Sequence, residues 1–130
     1  LRSLAASSEF TSSVVTGNFE ATAQIKLDAA GLAPYLRRGA YASDSRRRPD
    51  LPAIAKARWE AMTLRKIGAD RCIVVGDTPK DLEAARRNEM KCVLVGTGRY
   101  PVEELKYWQP DACLADLSDT RAVMAMLSEI

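Results

Sequence analysis

The sequence contains no histidine among its 130 residues. A Ser/His or Cys/His catalytic pair is therefore excluded, and most hydrolase mechanisms are excluded with it. No apolar run approaches the roughly 18 residues that a membrane-spanning helix needs, and we expect neither a membrane span nor a secretory leader. The net charge of +2 is close to neutral, so neither nucleic acid nor a membrane is expected as a partner.

Cysteine is also scarce. The three cysteines, Cys72, Cys92 and Cys113, lie in or beside short apolar runs. Their spacing matches no zinc-binding pattern, and no histidine is present to complete one. An odd number of thiols in apolar surroundings fits a reducing compartment better than a disulfide framework. We therefore expect three small core residues in a cytoplasmic protein.

Apolar and charged residues are present in ordinary proportions, 47% and 28%, which is typical of one folded domain. Short apolar runs alternate with amphipathic stretches, and this alternation predicts an α/β fold with a parallel sheet. The predicted strands are residues 13–16, 39–42, 72–75, 92–95 and 112–114. The predicted helices are residues 19–30, 50–66, 81–88, 102–108 and 120–128, the first ending at Gly31 and the second at Gly68.

Ligands of parallel sheets bind beyond the carboxyl ends of the strands, and two aspartates follow the strand at 72–75. Asp77 comes directly after it and Asp81 four residues later, a pair that could hold a hard divalent cation through oxygen. A helix start explains the segment about equally well, with Thr78 as N-cap, Pro79 as first helical residue and Asp81 in the first turn. That alternative does not explain Asp77, a charge that needs a partner near the core.

Two further segments follow predicted strands. Thr16-Gly17-Asn18 could bind phosphate through a hydroxyl and backbone N–H groups, or could simply form a turn and a helix cap. Arg46-Arg47-Arg48 could place one guanidinium against a phosphoryl group, or could be a solvated loop. Gly96-Thr97-Gly98 lacks the third glycine of a dinucleotide fingerprint, so no nucleotide site is predicted there.

Taken together, these motifs resemble the haloacid dehalogenase superfamily of phosphohydrolases, in the branch similar to phosphoglycolate phosphatase. Val14-Val15-Thr16-Gly17-Asn18 is similar to the second motif of the superfamily. Val74-Val75-Gly76-Asp77-Thr78-Pro79-Lys80-Asp81 is similar to the fourth, and Thr16 and Asp77 are 61 positions apart. Arg48, in Arg48-Pro49-Asp50-Leu51-Pro52, is the best match to the basic third motif. The fold that the resemblance implies is a Rossmann-like three-layer core with a mostly parallel sheet.

The resemblance also implies a function, a magnesium-dependent phosphomonoester hydrolase with an aspartyl-phosphate intermediate and a small phosphorylated metabolite as substrate. In it, Thr16, Gly17 and Asn18 would bind the phosphoryl group, and Arg48 would offset negative charge. Asp77 would bind Mg²⁺, and Asp81 would ligate the ion through water or orient the basic residue. A receiver-like signalling module and a non-catalytic interaction domain of similar fold are the alternatives.

One motif of the superfamily is missing. Its nucleophile motif, Asp-x-Asp-x-Thr, occurs nowhere in residues 1–130. We therefore expect this chain to be a partial phosphatase core with motifs two to four, incomplete at its N-terminal side, with the nucleophile strand and any cap domain upstream. The gap between the strands that end at Thr16 and Val75 would be filled by a missing N-terminal segment, a second chain or a rearranged sheet.

The missing nucleophile leads to the first testable prediction. The purified 130-residue chain, supplied with MgCl₂ and a phosphomonoester, should release no inorganic phosphate beyond the rate without protein. A colorimetric phosphate assay over many equivalents of substrate measures this. Sustained magnesium-dependent release would contradict it.

Overall fold

The computed structural model describes all residues, 1–130, and divides them into two units, Leu1–Lys66 and Ile67–Ile130. The helices and strands of the first unit are α1 Arg2–Ala6, β1 Ser13–Val15, α2 Glu20–Ala29, β2 Arg37–Ala40 and α3 Leu51–Thr63. Short 3₁₀ turns precede β2 at Ala33–Tyr35 and α3 at Arg48–Asp50. The two strands pair in parallel, with Ser13 opposite Arg37 and Val15 opposite Ala40.

The second unit repeats the strand–helix alternation more regularly. Its elements are β3 Ile73–Gly76, α4 Pro79–Arg87, β4 Lys91–Val95, α5 Val102–Tyr107, β5 Ala112–Leu114 and α6 Thr120–Glu129. A 3₁₀ turn at Ala69–Arg71 precedes β3. All three strands are parallel in the order β3-β4-β5, and the register between β3 and β4 is continuous from Ile73 opposite Lys91 to Gly76 opposite Leu94.

Every strand pair is parallel, so the predicted α/β class is confirmed. The hydrogen bonds divide the strands between two sheets, and β1 and β3 belong to different ones. None of the helices combines the length and apolar character needed to cross a membrane.

The core of the second unit lies around its central strand. Cys92 and Leu94 on β4 are completely buried, as is Leu105 on α5. A strand covered on both faces is expected to be apolar throughout, as the Cys-Val-Leu-Val run is. Burial raises the pKa of the Cys92 thiol to about 12, so this cysteine stays protonated and unreactive at neutral pH. None of the three cysteines forms a disulfide bond, and Cys72 and Cys113 are half-buried against the same cluster.

The first unit has a smaller core, built from Ala40, Leu51 and Ala55, and an ion pair supports it. The Arg58 guanidinium on α3 donates to both carboxylate oxygens of Asp44, at 2.7 and 2.6 Å, and to the Gly39 carbonyl oxygen at 2.7 Å. Asp44 also accepts the Tyr41 N–H at 2.8 Å. Charge-assisted bonds of this fork geometry are the stronger kind, so Arg58 fixes α3 to the end of β2.

Two predicted boundaries are wrong in the first unit. The strand expected at 39–42 ends at Ala40, because the Tyr41 N–H is taken by Asp44. The helix expected to reach Gly68 ends at Thr63, and Leu64 adopts a left-handed conformation with φ of 55°. Leu64 is 93% exposed, so no core contact holds a further turn of helix in place.

Removing the Asp44 charge should destabilise the protein in a pH-dependent way. The hydrogen bond from Arg58 holds the pKa of Asp44 below its ordinary value. Its stabilising contribution is therefore fully present above the ordinary carboxyl pKa of about 4, and is lost as the pH falls through the lower pKa of the folded state. In urea titrations at pH 7, Asp44→Asn should cost about 1–2 kcal/mol.

The difference between Asp44→Asn and wild type should shrink in the same titration at pH 3, which is below the ordinary carboxyl pKa of about 4. Asp70→Asn, at an exposed aspartate, is the matched control and should leave the free energy of unfolding unchanged at both pH values. An equal destabilisation by Asp44→Asn at the two pH values would show that the charge is not the cause.

Candidate functional site

The loop after β3 is closed by one carboxylate. Thr78 is extended, with φ of −136° and ψ of 160°, and is the N-cap of α4, and Pro79 is the first helical residue. Asp81 Oδ2 accepts the Thr78 N–H at 3.0 Å, the Thr78 hydroxyl at 2.8 Å and the Asp77 N–H at 3.2 Å. Backbone N–H groups that open a helix need such partners. The helix-cap interpretation is therefore correct for Thr78, Pro79 and Asp81.

Asp77 has a different environment. Its side chain is half-buried at the end of β3, and its carboxylate accepts no hydrogen bond and forms no ion pair. A second glycine-containing loop lies against it. A Cβ atom on Gly98 would overlap Asp77 Oδ2 and would lie 2.8 Å from Asp77 Cγ. The carboxylate thus rests on the loop after β4, a neighbour that the sequence did not identify.

The sequence contained a signal for this contact. Gly96-Thr97-Gly98 follows β4 directly, although it predicts no dinucleotide site. Parallel neighbours such as β3 and β4 end at the same edge of the sheet, so their following loops were candidates for contact. No third acidic, cysteine or histidine side chain joins Asp77 and Asp81 to form a metal-binding cluster.

Thr16, Gly17 and Asn18 form a tight turn after β1. Thr16 Oγ1 accepts both the backbone N–H of Asn18 at 3.1 Å and its side-chain amide at 3.0 Å. The N-cap of α2 is Phe19, so the interpretation of Asn18 as a helix cap is wrong. Gly17 is exposed, and a Cβ atom there would have no neighbour within 4 Å. The Lys26 ammonium, absent from the predicted site, lies 3.4 Å from Asn18 Oδ1.

The three arginines lie just ahead of α3. All are exposed, and Arg48 is the first residue of the 3₁₀ turn Arg48–Asp50. The Arg47 guanidinium lies 4.0 Å from the Asp50 carboxylate, a long and solvated ion pair of little energetic weight. Which arginine meets a phosphoryl group stays a prediction.

The predicted site residues fall into two groups. Thr16, Gly17, Asn18 and Arg48 belong to the first unit, whereas Asp77 and Asp81 belong to the second. Within each unit, the structure brings Thr16 together with Asn18, and Asp77 together with Asp81. Each half has a chemical character of its own: a hydroxyl turn beside the Lys26 ammonium, and an acidic loop at the end of a parallel strand.

Parallel strands with an acidic loop at a strand end define an α/β protein with a candidate ligand-binding edge, and comparison with known proteins identifies the family. Residues 45–120 match the family model described as HAD-hydrolase-like. This match covers more than half of the chain and includes Arg48, Asp77 and Asp81. The chain therefore belongs to the haloacid dehalogenase-like hydrolase family, which confirms the resemblance inferred from its motifs.

Two individual proteins are similar to the chain. A 5'-nucleotidase of Pseudomonas aeruginosa is 38% identical over 58 residues, which are 45% of this chain and 26% of that protein. The X-ray structure of a Northeast Structural Genomics Consortium target superposes with a TM-score of 0.70 at 21% identity. That match covers 92% of this chain and 39% of the other, and shows the fold alone. The chain thus spans well under half the length of both.

The two aspartates should differ in their effect on stability. Asp81→Ala removes the acceptor of three hydrogen bonds at a helix N-terminus, and should lower the free energy of unfolding by about 1 kcal/mol. Asp77→Ala removes a carboxylate with no protein partner, and should change it by less than about 0.5 kcal/mol. Urea titration of both variants measures this. Equal losses would mean that Asp77 also has a structural role.

Proposed function

We propose that this chain supplies the phosphate- and metal-binding residues of a magnesium-dependent phosphomonoester hydrolase that works through an aspartyl-phosphate intermediate. The observation that carries the proposal is the contrast between the two aspartates. Asp81 is used to shape the loop, whereas the half-buried Asp77 carboxylate has no partner in the protein. Membership of the hydrolase family supports the same assignment.

The carboxylate oxygens of the acidic loop are suitable ligands for Mg²⁺. Magnesium prefers oxygen ligands, keeps several waters and is commonly held by one or two carboxylates together with substrate phosphate. Asp77 offers one such carboxylate, and Asp81 would ligate the ion through water or orient the basic residue. When bound, the ion supplies positive charge beside the phosphoryl oxygens.

The turn after β1 fits the phosphoryl group. Thr16 Oγ1 already accepts two hydrogen bonds, and its own proton is left to donate to a phosphoryl oxygen. Gly17 leaves the face of the turn open, and Arg48 would offset charge on the phosphate and the nucleophile. Positioning and charge neutralisation of this kind provide most of the catalysis in phosphoryl transfer.

The attacking carboxylate would come from outside residues 1–130, because Asp-x-Asp-x-Thr is absent. Its oxygen would bond to phosphorus as the alcohol leaves, and water would then hydrolyse the acyl phosphate to restore the carboxylate. An upstream segment or a second chain would bring it. The outer edge of β3 is unpaired, since β3 is the first strand of its sheet, and Val75 on it is 50% exposed. Such an edge can accept a further strand.

The proposed substrate is a small phosphorylated metabolite. The name of the Pseudomonas relative, 5'-nucleotidase, makes a nucleoside 5'-monophosphate a sensible first compound to test. Three cysteines without a disulfide bond support a reducing compartment, and we propose that the protein is cytoplasmic.

Metal binding tests the proposal directly. Mn²⁺ is titrated into the full chain, bound ion is followed by electron paramagnetic resonance, and Mg²⁺ is then added as competitor. Asp77→Asn should weaken Mn²⁺ binding at least about tenfold, because a neutral amide replaces the anionic ligand. Asp70→Asn, an exposed aspartate of the same unit, should bind as wild type does.

Equal Mn²⁺ affinity in wild type and Asp77→Asn would contradict the metal assignment. It would favour a non-catalytic interaction domain of the same fold, in which Asp81 is only a helix cap.

A further inference from the structure

We infer that Gly98 is a positioning residue for Asp77: the absence of a side chain at position 98 lets the Asp77 carboxylate lie against the loop after β4, and this contact sets the direction in which the carboxylate points. The contact itself is independent of any ligand. Its importance for metal binding rests on the proposed function.

The Asp77 side chain is the group that requires a glycine at position 98. A Cβ atom at position 98 would overlap Asp77 Oδ2 and would lie 2.8 Å from Cγ and 3.0 Å from Cβ of the same residue. The three nearest atoms thus all belong to one side chain. Gly98 is exposed, so core packing does not exclude a larger residue. Its φ is outside the left-handed region, where Gly31 is found, so backbone conformation does not require glycine either.

A side chain at position 98 should move Asp77 rather than disrupt the fold. The atom that would be overlapped is the free end of a side chain with no hydrogen bond to hold it. Relieving such an overlap takes a displacement on the order of 1 Å, whereas metal–ligand distances tolerate only about 0.2 Å. Gly98 thus positions Asp77, the proposed metal ligand, without contacting the metal itself.

Two other glycines of the second unit separate this effect from general crowding. A Cβ atom on Gly96 would lie 2.9 Å from the backbone nitrogen of Val102, so Gly96 is required by the main chain. Gly68 is the matched case, since a Cβ atom there would overlap Asp70 Oδ1. Gly68 is also exposed, with φ of −65°. The neighbouring Asp70 has no part in the proposed site.

The test compares Gly98→Ala with Gly68→Ala in the full chain. In metal-free protein labelled with ¹³C, the side-chain carboxyl resonance of Asp77 should shift in Gly98→Ala and stay in place in Gly68→Ala, which should move the Asp70 resonance instead. Mn²⁺ affinity should fall about tenfold in Gly98→Ala and match wild type in Gly68→Ala. The urea midpoint of Gly98→Ala should remain that of wild type.

Each result has one interpretation. An unmoved Asp77 resonance in Gly98→Ala would overturn the positioning role. A moved resonance with wild-type Mn²⁺ affinity, in an experiment where Asp77→Asn does lose affinity, would overturn its link to the metal and leave the proposed function intact. If Asp77→Asn itself binds as wild type does, the proposed metal role fails and that link fails with it, while the resonance still decides the positioning role.

A double variant covers the case in which Gly98→Ala destabilises the protein. Shortening the overlapped side chain with Asp77→Ala should then restore most of the urea midpoint, because the clash is with Asp77. A double variant no more stable than Gly98→Ala would show that position 98 needs glycine for another reason, and would overturn the inference.

Discussion

The conformation of the acidic loop after β3 depends on one oxygen atom, Oδ2 of Asp81. Three donors from two consecutive residues converge on it, and they fix the chain at the point where β3 becomes α4. A Cβ atom on Gly76 would lie within the space of this carboxylate, so the strand must end in glycine for the loop to close. These bonds place the backbone of Asp77 at the end of β3. The position of a neighbouring functional residue thus depends in part on satisfying the backbone N–H groups of the loop.

The two carboxylates of this loop therefore have separate roles. A polar group taken from water is costly unless it finds a partner, and Asp81 finds three within the protein. Asp77 finds none and is left half-buried at the end of β3. The helix cap therefore accounts for the hydrogen bonds of Asp81 and leaves the Asp77 carboxylate without a partner in the protein.

The sequence predicted the second unit better than the first for a physical reason. The β4 run is buried on both faces, so its apolar pattern is continuous and unambiguous. The end of β2 instead depends on Asp44, which accepts the Tyr41 N–H and is itself held by Arg58, 14 residues further along the chain. The end of α3 depends on the loss of core contacts at Leu64. The local apolar pattern signals neither of these. The same holds for Gly98 and Asp77, whose contact arises only when parallel strands bring two loops together. Motif order, in contrast, located Thr16, Asp77 and Asp81 at strand ends without any knowledge of contacts.

The outer edge of β3 has a practical consequence for handling the protein. Ile73-Val74-Val75-Gly76 carries no charge and no proline, which are two of the features that keep an open strand from pairing with another molecule. At high protein concentration, an uncovered edge of this kind can pair with the same edge of a second copy of the chain. Light scattering across a dilution series would reveal such pairing.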